Sequence, residues 1–348
     1  MGAVRRFLRV PADFGLSPAA ICGSTMERTS PLVPFPLMND LTRRHFLKLS
    51  TAAGLAAAAA PLNTWAAAPV NPFKRTGKPI LRLSLAAYSF RDTFPIMRGK
   101  ANAKVPAGKA IDMFRFIDYC AAQGCEGAEL TSYFFAEETD EYMIKLRRHC
   151  FLRGIGVSGT AIGNNFSHPK GPKRDEEIAL TKKWIDRALL MGAPHIRVFA
   201  GVTKEISRPE ADKLVVSALE ECCDYAGKRG IFLGLENHDS IGSAATLIPM
   251  VKAVKSPWIG INLDSGNFRT DDPYKDFAEC VPYSVNVQYK VEIHGAGNAK
   301  KEADLKRFTQ LLRDGGYQGW VALEYEAKED PAVAVPRYLG QMKSLLAG

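Results

Sequence analysis

The sequence has 348 residues, of which 46% are hydrophobic and 24% charged, the balance of a globular protein with a sizeable core. The formal net charge is +9, of which +4 falls in residues 1–66 and only +5 in the rest. No dense run of Lys and Arg with interleaved aromatic residues occurs, which argues against a nucleic-acid partner. The seven cysteines form no CxxC pair, and six of them lie in the body of the chain after residue 80, where buried free thiols are expected.

An export signal is predicted near the N-terminus. Residues 42–48, TRRHFLK, place Arg43 and Arg44 before an Ala-rich apolar stretch, and this pattern resembles a twin-arginine signal peptide. Thr64 and Ala66 provide small residues for a cleavage site, so we expect cleavage after Ala66. An uncleaved membrane anchor is the alternative, but the apolar stretch is short and interrupted for a span.

The signal sets the expected domain organisation. Met38 lies where the start of such a signal would lie, which suggests that the residues before it come from a misassigned start. We expect a leader over 1–66, a linker over 67–79 and a folded domain over 80–348. The mature protein is expected to be periplasmic or otherwise exported, without stable membrane association, and compatible with a homo-oligomer.

From residue 80 onward, short runs rich in Val, Ile and Leu alternate with longer amphipathic segments. The short runs are continuously apolar, which is typical of strands buried on both faces of a parallel sheet. The predicted strands are Ile80–Ala87, Gly127–Thr131, Ile155–Thr160, His195–Ala200, Ile231–Glu236, Ile259–Asp264, Ser284–Lys290 and Trp320–Glu324. The predicted helices are Ala110–Gln123, Asp140–Phe151, Glu176–Met191, Glu210–Lys228, Ala244–Val254, Tyr274–Cys280, Leu305–Arg313 and Ala332–Leu346.

Eight strand–helix units in unbroken alternation predict a single (β/α)₈ TIM barrel. A doubly wound α/β sheet is the alternative, but the glycine-rich dinucleotide fingerprint is missing after the first strand. Glycines also stand where left-handed residues close helices. These glycines are Gly124, Gly154, Gly192, Gly230 and Gly315.

Polar residues lie at the ends of the last four predicted strands, where the active site of such a barrel is built. Glu236, Asp264, Gln288 and Glu324 lie at similar depth on strands five to eight. Buried carboxylates are costly unless a positive charge neutralises them, and a divalent cation does so. The oxygen donors predict Mn²⁺ or Mg²⁺, with Zn²⁺ or Co²⁺ as alternatives. For any single acid, a salt-bridged or exposed strand end is the alternative.

Short motifs on the same four strands carry a resemblance to a known family. They are LENH at 235–238, LDSGN at 263–267, VQYK at 287–290 and LEYE at 323–326. With these motifs in this order, the chain resembles the sugar phosphate isomerase/epimerase family. These are xylose isomerase-like barrels of the D-tagatose 3-epimerase type, and the resemblance spans nearly the whole mature chain.

The resemblance implies that Glu236, Asp264, Gln288 and Glu324 bind the metal. Gln288 departs from the usual His, and its amide oxygen favours hard cations. The implied reaction is proton transfer beside a ketose carbonyl, in which the metal stabilises an enediolate. Glu236 and Glu324 would act as catalytic acid and base on opposite faces of a small carbohydrate substrate. The residues predicted to bind substrate are His238, Asn267, Lys290 and Arg197.

The supporting residues keep alternative interpretations. His238 is equally suited to a hydrogen bond behind the substrate, and Lys290 to an ion pair with Glu292 at the barrel rim. Arg197 points into the barrel or out of it, depending on register. If it points inward, it would orient Glu129 or Glu236.

Other functions also fit parts of the sequence. A lyase or hydrolase acting on 3-keto-glycosides would share the first proton abstraction and then expel a leaving group from the β-carbon. A non-catalytic, exported sugar-binding barrel is suggested by Gln288. An endonuclease IV-like phosphodiesterase needs a histidine-rich zinc cluster, and the mature chain has too few histidines near the strand ends.

Overall fold

The structure is a computed structural model, and it describes residues 72–295 and 299–347. The chain divides into two units, Met1–Thr64 and Trp65–Gly348, and every described residue belongs to the second unit. The predicted leader and the first part of the predicted linker lie outside the described residues. The twin-arginine signal, the cleavage site and the domain boundaries therefore stay predictions.

Eight parallel strands close into a barrel, in which each strand pairs with the next along the chain and the last pairs with the first. This confirms the predicted (β/α)₈ architecture. The strands are β1 (Ile80–Ala86), β2 (Gly127–Thr131), β3 (Gly156–Ala161), β4 (His195–Val198), β5 (Phe232–Glu236), β6 (Ile259–Asp264), β7 (Ser284–Tyr289) and β8 (Gln318–Leu323). The helices are α1 (Met113–Ala122), α2 (Asp140–Leu152), α3 (Pro172–Met191), α4 (Arg208–Gly227), α5 (Ala244–Ala253), α6 (Pro273–Cys280), α7 (Leu305–Asp314) and α8 (Pro331–Leu346).

Three boundaries differ from the prediction for identifiable reasons. Helix α1 begins at Met113 rather than Ala110, because the Asp112 side chain accepts a hydrogen bond from the Arg115 N–H and caps the helix. Helix α3 begins earlier than predicted, at Pro172, since proline suits the first helical turn. Strand β4 ends two residues early, and the other boundaries shift by one or two residues.

The early end of β4 results from one side chain. Asn164 accepts a hydrogen bond from the Phe199 N–H and donates one to the Phe199 carbonyl, both at 2.9 Å. These bonds replace the strand hydrogen bonds that Phe199 would have needed, while the Ala200 carbonyl accepts from the Phe166 N–H at 3.1 Å. One predicted helix-closing glycine was wrong. Gly192 closes α3 in a left-handed conformation as predicted, but after α7 Gly316 has this conformation and Gly315 does not.

Two short hairpins were not predicted. One pairs Ile96–Met97 with Lys100–Ala101 after β1, and the other pairs Glu292–His294 with Lys300–Glu302 after β7. Both follow the C-terminal ends of barrel strands, so they extend the face of the barrel on which the polar strand ends lie.

The main hydrophobic core lies between the strands and the surrounding helices. Phe94 stacks on Phe134 with ring centroids 4.6 Å apart, and Phe277 meets Phe308 at 4.5 Å. The six cysteines in the described part are free and buried, as predicted. Among the described helices, none combines the length and apolar composition needed to cross a bilayer. This packing fixes the strands, and with them the positions of the strand ends.

Candidate active site

Three carboxylates meet at the C-terminal end of the barrel. Glu236 ends β5, Asp264 ends β6 and Glu324 directly follows β8, and all three are buried. Parallel strands bring these ends to one rim. Asp264 is in register with Gln288 of β7. Each of the three carboxylates lies close enough to another to raise its pKa, which places them in one site.

Glu236 is held by two side chains that the sequence predicted to bind substrate. Arg197 Nε lies 2.8 Å from Glu236 Oε2, and Asn267 Nδ2 donates to Oε1 at 2.8 Å. Arg197 also donates to the Ile162 carbonyl at 2.8 Å, so its side chain points into the barrel. Burial raises the pKa of Glu236, and the Arg197 charge opposes that rise.

Lys290 connects the acids of β6 and β8. Its Nζ lies 3.3 Å from Asp264 Oδ2 and 3.0 Å from Glu324 Oε2, and it also contacts Glu326 Oε2. The rim ion pair with Glu292, the alternative for this lysine, is not formed in the structure. One ammonium group is therefore shared by three carboxylates.

This sharing leaves negative charge only partly balanced. Burial raises the pKa of Glu324, the Lys290 charge opposes the rise, and Glu326 and Asp264 add to it. Burial also raises the pKa of Asp264, and the charge of Lys290 opposes this rise. Asp264 Oδ1 accepts the Gly266 N–H at 2.7 Å, while its buried Oδ2 has no hydrogen-bond partner in the described part of the chain.

Gln288 belongs to a network of amides rather than to the three carboxylates. Its Nε2 donates to Glu129 Oε1 at 2.6 Å, and its Oε1 accepts from Asn262 Nδ2 at 2.6 Å. Asn286 Nδ2 donates to the other oxygen of Glu129 at 2.9 Å. Burial raises the pKa of Glu129 to about 7, Glu324 adds to this, and the two amides oppose it. Gln288 thus orients Glu129.

His238 lies at the rim beside Glu236. Its N–H donates to the Glu236 carbonyl at 2.9 Å, so the chain turns here instead of continuing the strand. The ring packs 4.6 Å from the Phe199 ring, and Nδ1 lies 2.9 Å from Asp239 Oδ2. The histidine therefore shares the site's edge without a described hydrogen bond to the acid.

The oxygen donors of the site fit a divalent cation only in part. Within residues 72–295 and 299–347, no three His, Cys, Asp or Glu side chains are arranged to hold a metal. The chemistry of Glu236, Asp264 and Glu324 nevertheless fits a hard cation, because each buries a negative charge and the ammonium beside Asp264 and Glu324 is shared by three carboxylates. The Gln288 oxygen accepts from Asn262, and its role as a metal ligand stays a prediction.

Sequence reasoning missed several residues of the site. Glu326 contacts Lys290, and its position two residues after Glu324 in the same motif was a usable signal. Tyr133 accepts a hydrogen bond from Arg197 Nη1 at 3.3 Å, but it comes from a short helical turn after β2 that no motif marks. Asn262, which donates to Gln288, lies two residues before Asp264 on β6, so the spacing was a usable signal here as well.

A cavity of about 330 Å³ has Asn267, Lys290 and Glu326 among its lining residues. Asn267 contacts Glu236, and Lys290 contacts Asp264 and Glu324, so the cavity adjoins the three carboxylates through these two side chains. Small-molecule sites have volumes of about 300–1,000 Å³. The cavity is therefore at the small end of that range and suits a compact ligand.

A family model described as a xylose isomerase-like TIM barrel matches residues 117–342, well over half of the chain. No curated protein sequence matches the chain. Solved structures match most of the chain at low identity. One is a xylose isomerase domain protein from Planctomyces limnophilus, 17% identical with a TM-score of 0.56, which covers 78% of this chain and 98% of its own.

Two further similar structures are epimerases. A D-psicose 3-epimerase solved in the presence of D-fructose is 15% identical with a TM-score of 0.58, covering 74% of this chain and 89% of its own. A 3-keto-D-glucoside 4-epimerase from E. coli is 15% identical with a TM-score of 0.57, covering 76% and 99% respectively. At these identities the likeness shows the barrel fold.

Proposed function

Because the chain belongs to the xylose isomerase-like TIM-barrel family, we propose that it is a sugar isomerase or epimerase. The proposed reaction moves a proton at a carbon beside a carbonyl group, with Glu236 and Glu324 as catalytic residues. One observation carries the proposal. Glu236 and Glu324 are buried at the ends of separate strands, and burial and then the Glu324 charge raise the pKa of Glu236. Their direct partners, Asn267 and Lys290, line the cavity.

The surroundings of the two acids suggest different roles. Arg197 favours the ionised form of Glu236, which suits a base that removes the proton. Burial, Glu326 and Asp264 favour the protonated form of Glu324, which suits an acid that returns it. Burial raises the pKa of both acids, so the two roles are assigned from the different ion pairs that Glu236 and Glu324 make.

A divalent cation, Mn²⁺ or Mg²⁺ before Zn²⁺ or Co²⁺, is part of the proposal, with Glu236, Asp264 and Glu324 as the residues that would hold it. When bound, such an ion would supply Lewis-acid stabilisation of an enediolate. Asn267 fixes one oxygen of Glu236, and Lys290 orients the acids of β6 and β8. The substrate is a small keto-sugar.

A second candidate function keeps the same first step. Removal of the proton from a 3-keto-glycoside could be followed by expulsion of a leaving group from the β-carbon, which makes the protein a lyase or hydrolase. The similarity to a 3-keto-D-glucoside 4-epimerase supports the choice of a 3-keto-glycoside as the substrate to test, and the loss of the leaving group stays a prediction. A non-catalytic sugar-binding barrel is the third candidate.

One experiment separates the three candidates. The purified protein is incubated in D₂O with D-fructose, D-psicose or a methyl 3-keto-glucoside, with and without Mn²⁺, and followed by NMR. Deuterium at carbon with the glycoside intact supports the isomerase or epimerase, and release of methanol supports the lyase. Binding without exchange supports the sugar-binding protein. Exchange should vanish in Glu324→Gln and persist in Glu329→Gln, an exposed acid paired with Arg337.

We also propose that the protein is exported through the twin-arginine route to the periplasm. The support is the pair Arg43 and Arg44 before an apolar stretch. Replacing both arginines with lysine should leave the full-length protein inside the cell, whereas lysine at Arg82, an exposed arginine of the folded domain, should not. Export of the first variant would contradict the proposal. Homo-oligomer formation stays a prediction that light scattering can test.

A further inference from the structure

Arg269 is a cavity residue that the proposed reaction does not use. It follows β6, is exposed to solvent, and lines the same cavity as Asn267 and Lys290. Its Nη1 donates to the carbonyls of Gly266 at 2.8 Å and Phe268 at 3.2 Å. Its backbone N–H donates to the Gly242 carbonyl at 3.1 Å, which ties this loop to the one after β5. The arginine is therefore held at the cavity by backbone contacts.

The charge of Arg269 is not neutralised in the way that the other cavity cations are. Lys290 is shared by three carboxylates, and Lys300 lies 3.2 Å from Glu292. In the described part of the chain, no carboxylate lies within 4 Å of the Arg269 guanidinium nitrogens. Burial lowers the pKa of Arg269 and the Asp264 charge opposes this, so the guanidinium lies within electrostatic reach of the strand-end acids.

A guanidinium without a counter-charge on a cavity wall is suited to an anion. Its planar arrangement of N–H groups matches the two oxygens of a carboxylate or phosphate. The described hydrogen bonds of the Arg269 guanidinium go to the neutral carbonyls of Gly266 and Phe268, and neutral acceptors do not cancel its positive charge. The neighbouring cations are already paired, so they do not compete for such a ligand.

We infer that Arg269 forms an anion subsite and that the substrate is an acidic keto-sugar, one that bears a phosphate or a carboxylate. This inference rests on the proposed function. The anionic group would bind at Arg269, and the sugar carbons would extend past Asn267 and Lys290 toward Glu236 and Glu324. The cavity of about 330 Å³ suits one sugar unit rather than an oligosaccharide.

A purely structural role for Arg269 would be to clamp its loop through the two carbonyls. Three variants separate this role from anion binding. Arg269→Gln removes the charge, and Arg269→Lys keeps the charge but not the planar group. Arg82→Gln is the matched control, because Arg82 is an exposed arginine on β1 that packs over the Trp320 ring and does not line the cavity.

The first measurement uses probes that do not depend on which sugar is bound. Inorganic phosphate and acetate are titrated into each protein by calorimetry at constant ionic strength. The native protein and Arg82→Gln should bind at least one of them, and Arg269→Gln should bind about tenfold more weakly, since hydrogen bonds between charged groups are worth about this factor or more. Arg269→Lys should be intermediate. The two probes distinguish a phosphate from a carboxylate preference.

The second measurement compares D-fructose, D-fructose 6-phosphate and D-fructuronate. The acidic sugar of the preferred class should bind about tenfold or more tightly than D-fructose to the native protein, and this preference should disappear in Arg269→Gln. The inference is overturned if the native protein binds neither phosphate nor acetate. It is also overturned if Arg269→Gln, folded by its thermal unfolding curve, binds them as the native protein does.

Deuterium exchange in the same samples keeps this inference separate from the proposed function. Arginine-dependent anion binding without exchange at carbon would leave the subsite standing and contradict the isomerase or epimerase. Exchange on neutral sugars without any anion binding would do the reverse.

Discussion

The two halves of the barrel differ in the charge of the partners that their buried polar groups bond to. In the second half, β5 to β8, carboxylates at the strand ends are bound to cationic nitrogens, as in the contact between Lys290 and Glu324 at 3.0 Å. In the first half, β1 to β4, buried polar groups bond to uncharged partners. Ser84 and Ser158 share a hydrogen bond of 2.7 Å, and the Thr160 hydroxyl donates to the Leu130 carbonyl.

The difference indicates where chemistry and where stability reside. An uncharged hydrogen bond between buried groups contributes to folding and has little to offer in proton transfer. Burial and neighbouring carboxylates raise the pKa of a carboxyl group, so that it can gain or lose a proton near neutral pH. Arg197 and Glu129 are the exceptions in the first half. Arg197 crosses the barrel to pair with Glu236, and the buried Glu129 carboxylate accepts hydrogen bonds from Gln288 and Asn286 of β7.

The largest expected effect is on catalysis in the second half. Glu236→Gln should slow deuterium exchange at carbon by about 100- to 10,000-fold, the range for loss of a general acid or base. Glu126→Gln is the matched control, since Glu126 is an exposed acid just before β2 in the first half. NMR in D₂O measures both rates. Equal rates for the two variants would break the division between the halves.

The next effect is on the connection between the halves. Arg197→Met should lower the free energy of unfolding by about 3–5 kcal/mol, because it leaves the Glu236 carboxylate buried without its cation. Arg229→Met removes a more exposed ion pair with Asp186 and should cost about 0–1 kcal/mol. Urea unfolding measures both values. Similar losses of unfolding free energy in the two variants would show that burial does not strengthen the contribution of the Arg197–Glu236 pair.

A third effect concerns pH and stability in the first half. Burial lowers the pKa of His195 from 6.5 to about 4, with the Ser158 backbone opposing the shift. Between these values the unfolded chain binds a proton that the folded protein does not, so the free energy of unfolding falls as pH falls. One pKa unit corresponds to about 1.4 kcal/mol, so His195 should remove about 3 kcal/mol between pH 7 and pH 4.

His195→Gln isolates this contribution, because the variant cannot titrate at this position. Its free energy of unfolding, measured by urea at each pH, should depend less on pH than that of the native protein by about 3 kcal/mol. His149→Gln serves as the control, since His149 pairs with Asp118 near the surface. Parallel stability curves for the native protein and His195→Gln would contradict the assignment.

The fold was predictable from the sequence because both faces of each barrel strand are covered. A strand in that position needs apolar residues throughout, so its signal survives in one sequence. The end of β4 failed because it depends on a contact distant in the chain, the Asn164 side chain bound to Phe199. The starts of α1 and α3 had local signals, the Asp112 cap and Pro172, which the apolar pattern does not show. The two short hairpins failed for another reason, since neither is long enough to show a period.

The sequence was enough to select residues of the site, but not the side chains that each of them contacts. Residue type and strand end were enough to select Glu236, Asp264 and Glu324. The partner of Lys290 was not predictable, because the side chain reaches across to another strand instead of pairing with nearby Glu292. Gln288 shows the same limit: its amide bonds to Glu129, 159 residues away, and no local pattern contains that pair.

The smallest expected effect tests whether uncharged polar pairs in the first half serve stability alone. Ser84→Ala should lower the free energy of unfolding by about 1 kcal/mol and leave deuterium exchange unchanged, because the buried bond to Ser158 joins two neutral hydroxyls. Ser344→Ala is the control, since this exposed serine donates only to the Gly340 carbonyl of its own helix and should cost about 0.5 kcal/mol or less.

The double variant Ser84→Ala/Ser158→Ala sharpens this test. Once both hydroxyls are gone, no unpaired polar group remains buried, so the double change should cost less than the sum of the single changes by about 0.5–1 kcal/mol. Additive losses would mean that each hydroxyl acts with a different partner. A fall in exchange rate, with stability accounted for, would extend the catalytic machinery into the first half and remove the division between stability and chemistry.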